Sequence, residues 1–136
     1  MEPYVPKWTV KAYRCSSPKK PAELVDAARA ASEGRNILLV TRYEPGIGGR
    51  LGAAYLNTMV RFNDGINKYR MKGIEMLMFL YENPEIGNRK SEQGIENSDF
   101  VLFSDSSRLL EKFAKENRIR KRSRIKVIPG FTDTVL

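Results

Sequence analysis

Four groups of residues have the types and spacing to do chemistry. The first is a run of cations. Between Arg118 and Lys126 the chain places six positive charges and no negative one, at Arg118, Arg120, Lys121, Arg122, Arg124 and Lys126. A block of like charge repels itself unless an anion relieves it, which suits a nucleic-acid backbone. The plainer reading is a solvated stretch before an edge strand, where Lys and Arg discourage strand pairing. The second group is Gly46-Ile47-Gly48-Gly49 followed by Arg50. A glycine-rich loop between an apolar strand and a helix can cradle a phosphate. It matches neither GxGxxG with a downstream acid nor GxxxxGK[ST]. Glycines serve a tight turn equally well, and a turn is the stronger expectation. The third is Glu75, the one charge inside Ile74 to Tyr81, the most apolar run in the chain. A buried carboxylate can be tuned for acid–base work. More often an arginine or backbone N–H groups hold it, and Arg61 is the expected partner. The fourth is the set of cations around that run: Lys68 and Arg70 before it, Arg89 and Lys90 after it.

What is missing narrows the chemistry further. There is no histidine, which removes the commonest general base and metal ligand and excludes Ser-His-Asp and Cys-His catalysis. Cys15 stands alone, so no internal disulfide forms and a zinc site is not expected. It reads as a small, semi-buried residue. No paired carboxylates stand out, and no cofactor is expected. The net charge of +8, from 24 Lys and Arg against 16 Asp and Glu, favours an anionic partner. An apolar run of eight residues is too short to span a bilayer, and no signal peptide is evident. The expectation is a cytoplasmic protein with no membrane partner, a binding protein rather than an enzyme.

The elements that must position these groups follow from periodicity. With 136 residues, 41% apolar and 10% aromatic, the chain is long enough for one domain, 1–136, with a real core. Trp8 to Tyr13 alternates as a half-buried strand. Pro21 suits the first turn of a helix over Ala22 to Glu33, with Leu24, Val25 and Ala28 inward and Gly34 ending it. Asn36 to Thr41 reads as a central strand covered on both faces. A helix follows over Arg50 to Asn63, and a second, buried one over about 70–82. In the latter, Ile74, Leu77, Met78 and Tyr81 fall on one stripe. The polar stretch from Glu82 to Asn97 has room for a short helix near Asn88 to Gln93. Phe100 to Phe103 is a strand. Ser104, Asp105 and Ser106 offer N-caps for a helix over Ser107 to Asn117, with Leu109, Leu110, Phe113 and Ala114 inward. Ile125 to Ile128 reads as a last strand, stopped by Pro129-Gly130. The sum is an α/β or α+β domain, a sheet of about four strands packed with helices around the buried helix near 70–82.

One stretch carries a resemblance. Gly65-Ile66-Asn67-Lys68, then Glu75 opening the apolar helix Met76 to Tyr81, then a short turn to Ile86, resembles the small regulatory subunit of the KEOPS complex, the PRPK-binding protein family. Gly94-Ile95, the strand Phe100 to Phe103, Ser104-Asp105 and the helix through Leu109, Leu110 and Phe113 follow the family's order. The likeness covers roughly Leu51 to Asn117. It implies a non-catalytic accessory subunit of a complex that installs threonylcarbamoyl groups on tRNA adenosine. Such a subunit binds the atypical kinase/ATPase subunit and captures the single-stranded 3′ CCA end of tRNA. Carried over by position, Lys68 becomes a phosphate contact and Ile86 an apolar contact. Arg70, Arg89, Lys90, Arg120, Lys121 and Arg122 are the remaining candidate RNA contacts. Two other readings stay open: a small nucleotide- or phosphate-binding enzyme using residues 46–49, and a structural adaptor for an acidic protein partner.

Overall fold

Strands covered on both faces carry apolar residues at odd and even positions alike, and two segments of this chain do so without interruption. In the computed structural model, which describes residues 9–32, 36–81 and 99–128, these are β2 (Leu38–Thr41) and β3 (Phe100–Ser104), buried throughout. With β1 (Lys11–Ser16) and β4 (Arg120–Ile125) they form a four-stranded sheet in the order β2-β3-β1-β4. Every pairing is antiparallel. The helices are α1 (Pro21–Ala31), α2 (Ile47–Asp64), α3 (Lys72–Tyr81) and α4 (Ser107–Glu116). The domain is thus of mixed α and β type, with its strands and helices interleaved along the chain.

The alternation of strand side chains divides the core in two. Ala12, Leu39, Val101 and Phe103 point to one face, where Leu51, Ala54 and Tyr55 of α2 and Met76, Leu77 and Leu80 of α3 cover them. Cys15, Leu38, Val40, Phe100 and Leu102 point to the other, under Leu24, Val25 and Ala28 of α1 and Leu110, Phe113 and Ala114 of α4. Each large side chain so buried stabilises the fold by roughly 1.5–3 kcal/mol. The polar residues after β3 tie the layers together. Ser104 Oγ donates to the Ile37 carbonyl (2.7 Å), Asp105 Oδ1 accepts from Ile37 N–H (2.8 Å), and Ser106 caps α4 by accepting from Leu109 N–H (3.2 Å). Burial pushes the Asp105 carboxyl up from its usual range, against the pull of that backbone hydrogen bond.

Several sequence expectations need correction. The strand read at 36–41 is not central: β2 is an edge strand, and α1 and α3 supply the cover that made it look interior. The last strand is not 125–128 but the cationic run itself, Arg120–Ile125. An edge strand with little cover has no need of apolar side chains, so hydrophobicity alone cannot reveal it. The first strand starts at Lys11 and runs to Ser16. Helix α2 begins at Ile47, inside the supposed glycine loop. In α3 the buried residues are Glu75, Met76, Leu77 and Leu80, whereas Ile74, Met78 and Tyr81 are only half buried. Leu109 is likewise half buried, while Leu110, Phe113 and Ala114 are inward as expected. Gly34 and the short helix expected near 88–93 lie outside the described residues.

Candidate functional site

Gly65 ends α2 in the left-handed conformation, with φ of 71°, which glycine adopts without steric cost. The Ile66 N–H returns to the Arg61 carbonyl at 3.0 Å. The chain then makes a loop, 66–71, before α3. Glu75, fully buried in the first turn of α3, reaches back into it. Its Oε1 accepts from the N–H groups of Lys68 and Tyr69, both at 2.9 Å, and its Oε2 lies 3.2 Å from Lys68 N and 3.6 Å from Arg61 Nη1. The expected pairing of Glu75 with Arg61 and with the backbone is what the structure has. Asn67 Nδ2 donates to the Tyr69 carbonyl (2.9 Å). So fixed, the loop turns Ile66, Lys68 and Arg70 outward at alternate positions. Ile66, at 58% exposure, is one of two large apolar side chains left in solvent among the described residues.

The other end of α3 carries a second network. Arg42 and Arg50 share the Glu44 carboxylate, Arg50 also donates to the Leu80 carbonyl, and the Tyr81 and Thr41 hydroxyls are hydrogen-bonded. Burial pushes the Glu44 carboxyl up, but hydrogen bonds and charge from the two arginines outweigh it and leave it below its usual range. Beside it Arg14 grips Asp99 through two hydrogen bonds (2.6 and 2.7 Å), and its guanidinium stacks on Tyr43 at 3.7 Å. The Arg14 hydrogen bond holds the Asp99 carboxyl below its usual range. Tyr81 and Asp99 are the two described residues that bound 82–98. The predicted contacts Ile86, Arg89 and Lys90 belong to that stretch and lie outside the described residues.

The third group sits on β4. Arg120, Lys121 and Arg122 are exposed on the edge strand. Pairing with β1 skips a register step between Arg14 and Cys15, which leaves Arg122 as the extra residue of a bulge. Arg120 and Arg124 therefore fall on opposite faces of the sheet. Lys121 is already engaged: its Nζ lies 2.5 Å from Glu111 Oε1 and 4.9 Å from the centre of the Tyr13 ring. The Glu111 hydrogen bond raises its pKa.

Gly48 and Gly52 have a packing role. A Cβ at Gly48 would meet the Lys126 carbonyl oxygen at 2.1 Å, and one at Gly52 the Ile128 carbonyl oxygen at 1.8 Å. The chain leaving β4 crosses α2 at these two points, and Ile128 N–H donates to the Gly48 carbonyl (3.2 Å). The expected turn is confined to Gly46, whose φ is 79°. Cys15 is fully buried rather than semi-buried, and burial pushes its thiol up to about 12, which leaves it protonated and inert.

Among the described residues the structure brings Lys68 and Arg70 together but holds them apart from the β4 cations. Lys68 precedes α3, whose Tyr81 hydroxyl is hydrogen-bonded to Thr41 of β2, whereas β4 is the opposite edge of the sheet. Lys68 and the residues after Tyr81 flank a ten-residue helix, about 15 Å long. Sequence reasoning missed Ile66 and Lys11. It named Arg124 and Lys126 only as members of a cationic run suited to an anion, without reading that run as a strand. A signal was present for the last two: from Arg118 to Lys126 every second residue is basic, which is the period of a strand. No helix among the described residues is long and apolar enough to cross a membrane. Comparison with protein-family models, curated proteins and solved structures gives no match for this chain.

Proposed function

We propose that this chain is a non-catalytic accessory subunit of a KEOPS-like tRNA-modifying assembly, acting in the cytoplasm. In this reading it binds the atypical kinase/ATPase subunit and holds the 3′ CCA end of tRNA, while threonylcarbamoyl transfer occurs elsewhere in the assembly. The observation that carries the reading is the loop held by Glu75. Gly65, Asn67, Lys68 and Glu75 are residues of the resemblance, and they make one built unit: a left-handed cap, a side-chain turn and a buried carboxylate on two backbone N–H groups. Its product is an apolar side chain, Ile66, next to two exposed cations, Lys68 and Arg70. Single-stranded RNA ends are held by such combinations, cations for phosphate and apolar surface for bases. Within residues 46–49, the close packing of Gly48 against the Lys126 carbonyl favours a packing role over a phosphate cradle at that position.

The test is tRNA binding by fluorescence anisotropy at several salt concentrations. Intact tRNA is expected to bind at least tenfold more tightly than the same tRNA lacking CCA, and Lys68→Ala to remove most of that difference. Equal binding of the two tRNAs would contradict capture of the 3′ end. A pull-down with the kinase-like subunit checks the protein contact separately.

A further inference from the structure

At the end of the sheet where β1 begins and β4 ends, beside the start of α4, the chain forms an open pocket of about 570 Å³. Lys11, Arg124 and Lys126 line it together with Thr9 and Ser107. Antiparallel pairing of β1 with β4, Tyr13 opposite Arg124 and Ala12 opposite Ile125, brings these cations together from positions more than a hundred residues apart. No Asp or Glu lines the pocket among the described residues. The acid closest in sequence to Ser107, Asp105, turns its Oδ1 to the Ile37 N–H. Six basic side chains elsewhere, Arg14, Arg42, Arg50, Arg61, Lys112 and Lys121, each have a carboxylate. Lys11, Arg124 and Lys126 have no ion-pair partner among the described residues. Ser107 is the first residue of α4, a ten-residue helix, so the positive end of that helix dipole adds to the same potential.

We propose that this pocket is a second RNA contact, holding backbone phosphates of the tRNA at a site distinct from the loop at 65–70. The inference rests on the tRNA binding proposed above. Three features favour an RNA backbone over a small phosphorylated ligand. The pocket is open and continuous with the exposed strand β4. From Arg120 to Lys126 the strand direction extends about 20 Å at ~3.3 Å per residue, longer than one nucleotide. The bulge at Arg122 interrupts the outer ladder, so an anion is met by side chains and not by an added strand. The two contacts also stand far apart. Lys126 crosses the start of α2 at Gly48, whereas the loop follows its end. Eighteen helical residues separate them by roughly 25 Å. A tRNA could touch the loop with its single-stranded end and the pocket with its stem.

The experiment uses the full chain, intact and CCA-less tRNA, and a salt series. The variants are the triple Lys11→Ser, Arg124→Ser, Lys126→Ser, the single Lys126→Ser, and Lys68→Ala, each checked for folding by thermal melting. The triple variant is expected to weaken both tRNAs by the same factor, at least tenfold at 50 mM salt. It should reduce the slope of log K against log salt by about 2 in magnitude, at ~0.7–0.9 per lost phosphate contact. The single variant should reduce it by a little under 1. If the wild-type protein binds tRNA and neither variant changes affinity or slope, the pocket proposal is overturned while capture of the 3′ end stands. If binding ignores the CCA end yet falls in the triple variant, the pocket is supported and the end-capture reading fails. No tRNA binding by the wild type at low salt overturns both. Inorganic phosphate or ATP that displaces tRNA at 1:1 stoichiometry and low millimolar concentration would show that the pocket takes a small phosphate, and would overturn the RNA assignment.

Discussion

Glu75 joins two parts of the chain through one carboxylate. It is fully buried, and it is the acceptor for two backbone N–H groups and the neighbour of Arg61. Glu75→Ala would strand these donors, and breaking a buried charge cluster of this kind costs about 3–5 kcal/mol. Glu75→Gln keeps one acceptor oxygen and should cost less, about 1–3 kcal/mol. Urea unfolding of the two variants measures both. A small loss for Glu75→Ala would mean that the loop does not depend on the carboxylate. The Arg14–Asp99 pair makes a pH prediction. Arg14 depresses the folded-state pKa of Asp99, so the pair stabilises the protein above the unfolded carboxylate range, near pH ~3.9. That contribution is lost as pH falls through the lower folded value. Melting temperature should therefore fall between pH 6 and pH 3, and by less in Arg14→Gln than in the wild type. An unchanged drop would remove the pair from the acid response.

Helix α2 offers a comparison at the scale of an element. Gly48, Gly49 and Gly52 all lie within it, yet their neighbourhoods differ. Gly48 and Gly52 face backbone oxygens of the segment that follows β4, at distances a Cβ cannot occupy. Gly49 faces nothing within 4 Å. Gly48→Ala should destabilise by about 1–3 kcal/mol through overpacking. Gly49→Ala should stabilise by about 0.5–1 kcal/mol, because alanine loses less backbone entropy in a helix. Opposite signs in denaturant midpoint are the expected outcome. Equal effects would mean that the crossing segment moves away freely. Strand β4 makes a related point. Its basic side chains and its bulge protect an open edge from other strands, and the same features leave cations available to an anionic partner.

For the molecule as a whole, charge is distributed in a pattern that net charge does not describe. The arginines at the foot of α3 are balanced by Glu44 and Asp99, so that region is held together and mostly satisfied. Cations without a carboxylate partner among the described residues include Lys68 and Arg70 at the loop beside Ile66 and Lys11, Arg124 and Lys126 at the pocket. On the proposed function, binding to tRNA should weaken steeply with salt, and the two regions should be separable by their variants, Lys68 affecting the CCA-dependent part and the pocket cations the remainder.

Much of this was legible in the sequence. The apolar runs at 38–41 and 100–103, the stripes of α1 and α4, the stop at Gly65 and the partners of Glu75 all follow from local periodicity and from what a buried carboxylate requires. The mixed α and β class followed from the order of those elements. The rest depended on pairing. Nothing in 36–41 says that it lies at an edge, because helix cover and strand cover bury side chains equally well. The cationic run gave no apolar pattern to identify as a strand, and only its period of two hinted at one. Gly48 reads as part of a loop by sequence, and only the crossing of segment 126–128 over Gly48 and Gly52 gives the two glycines a packing role. Lys11 meets Arg124 and Lys126 only because β1 and β4 run antiparallel, a contact between the two ends of the described chain that no local signal encodes.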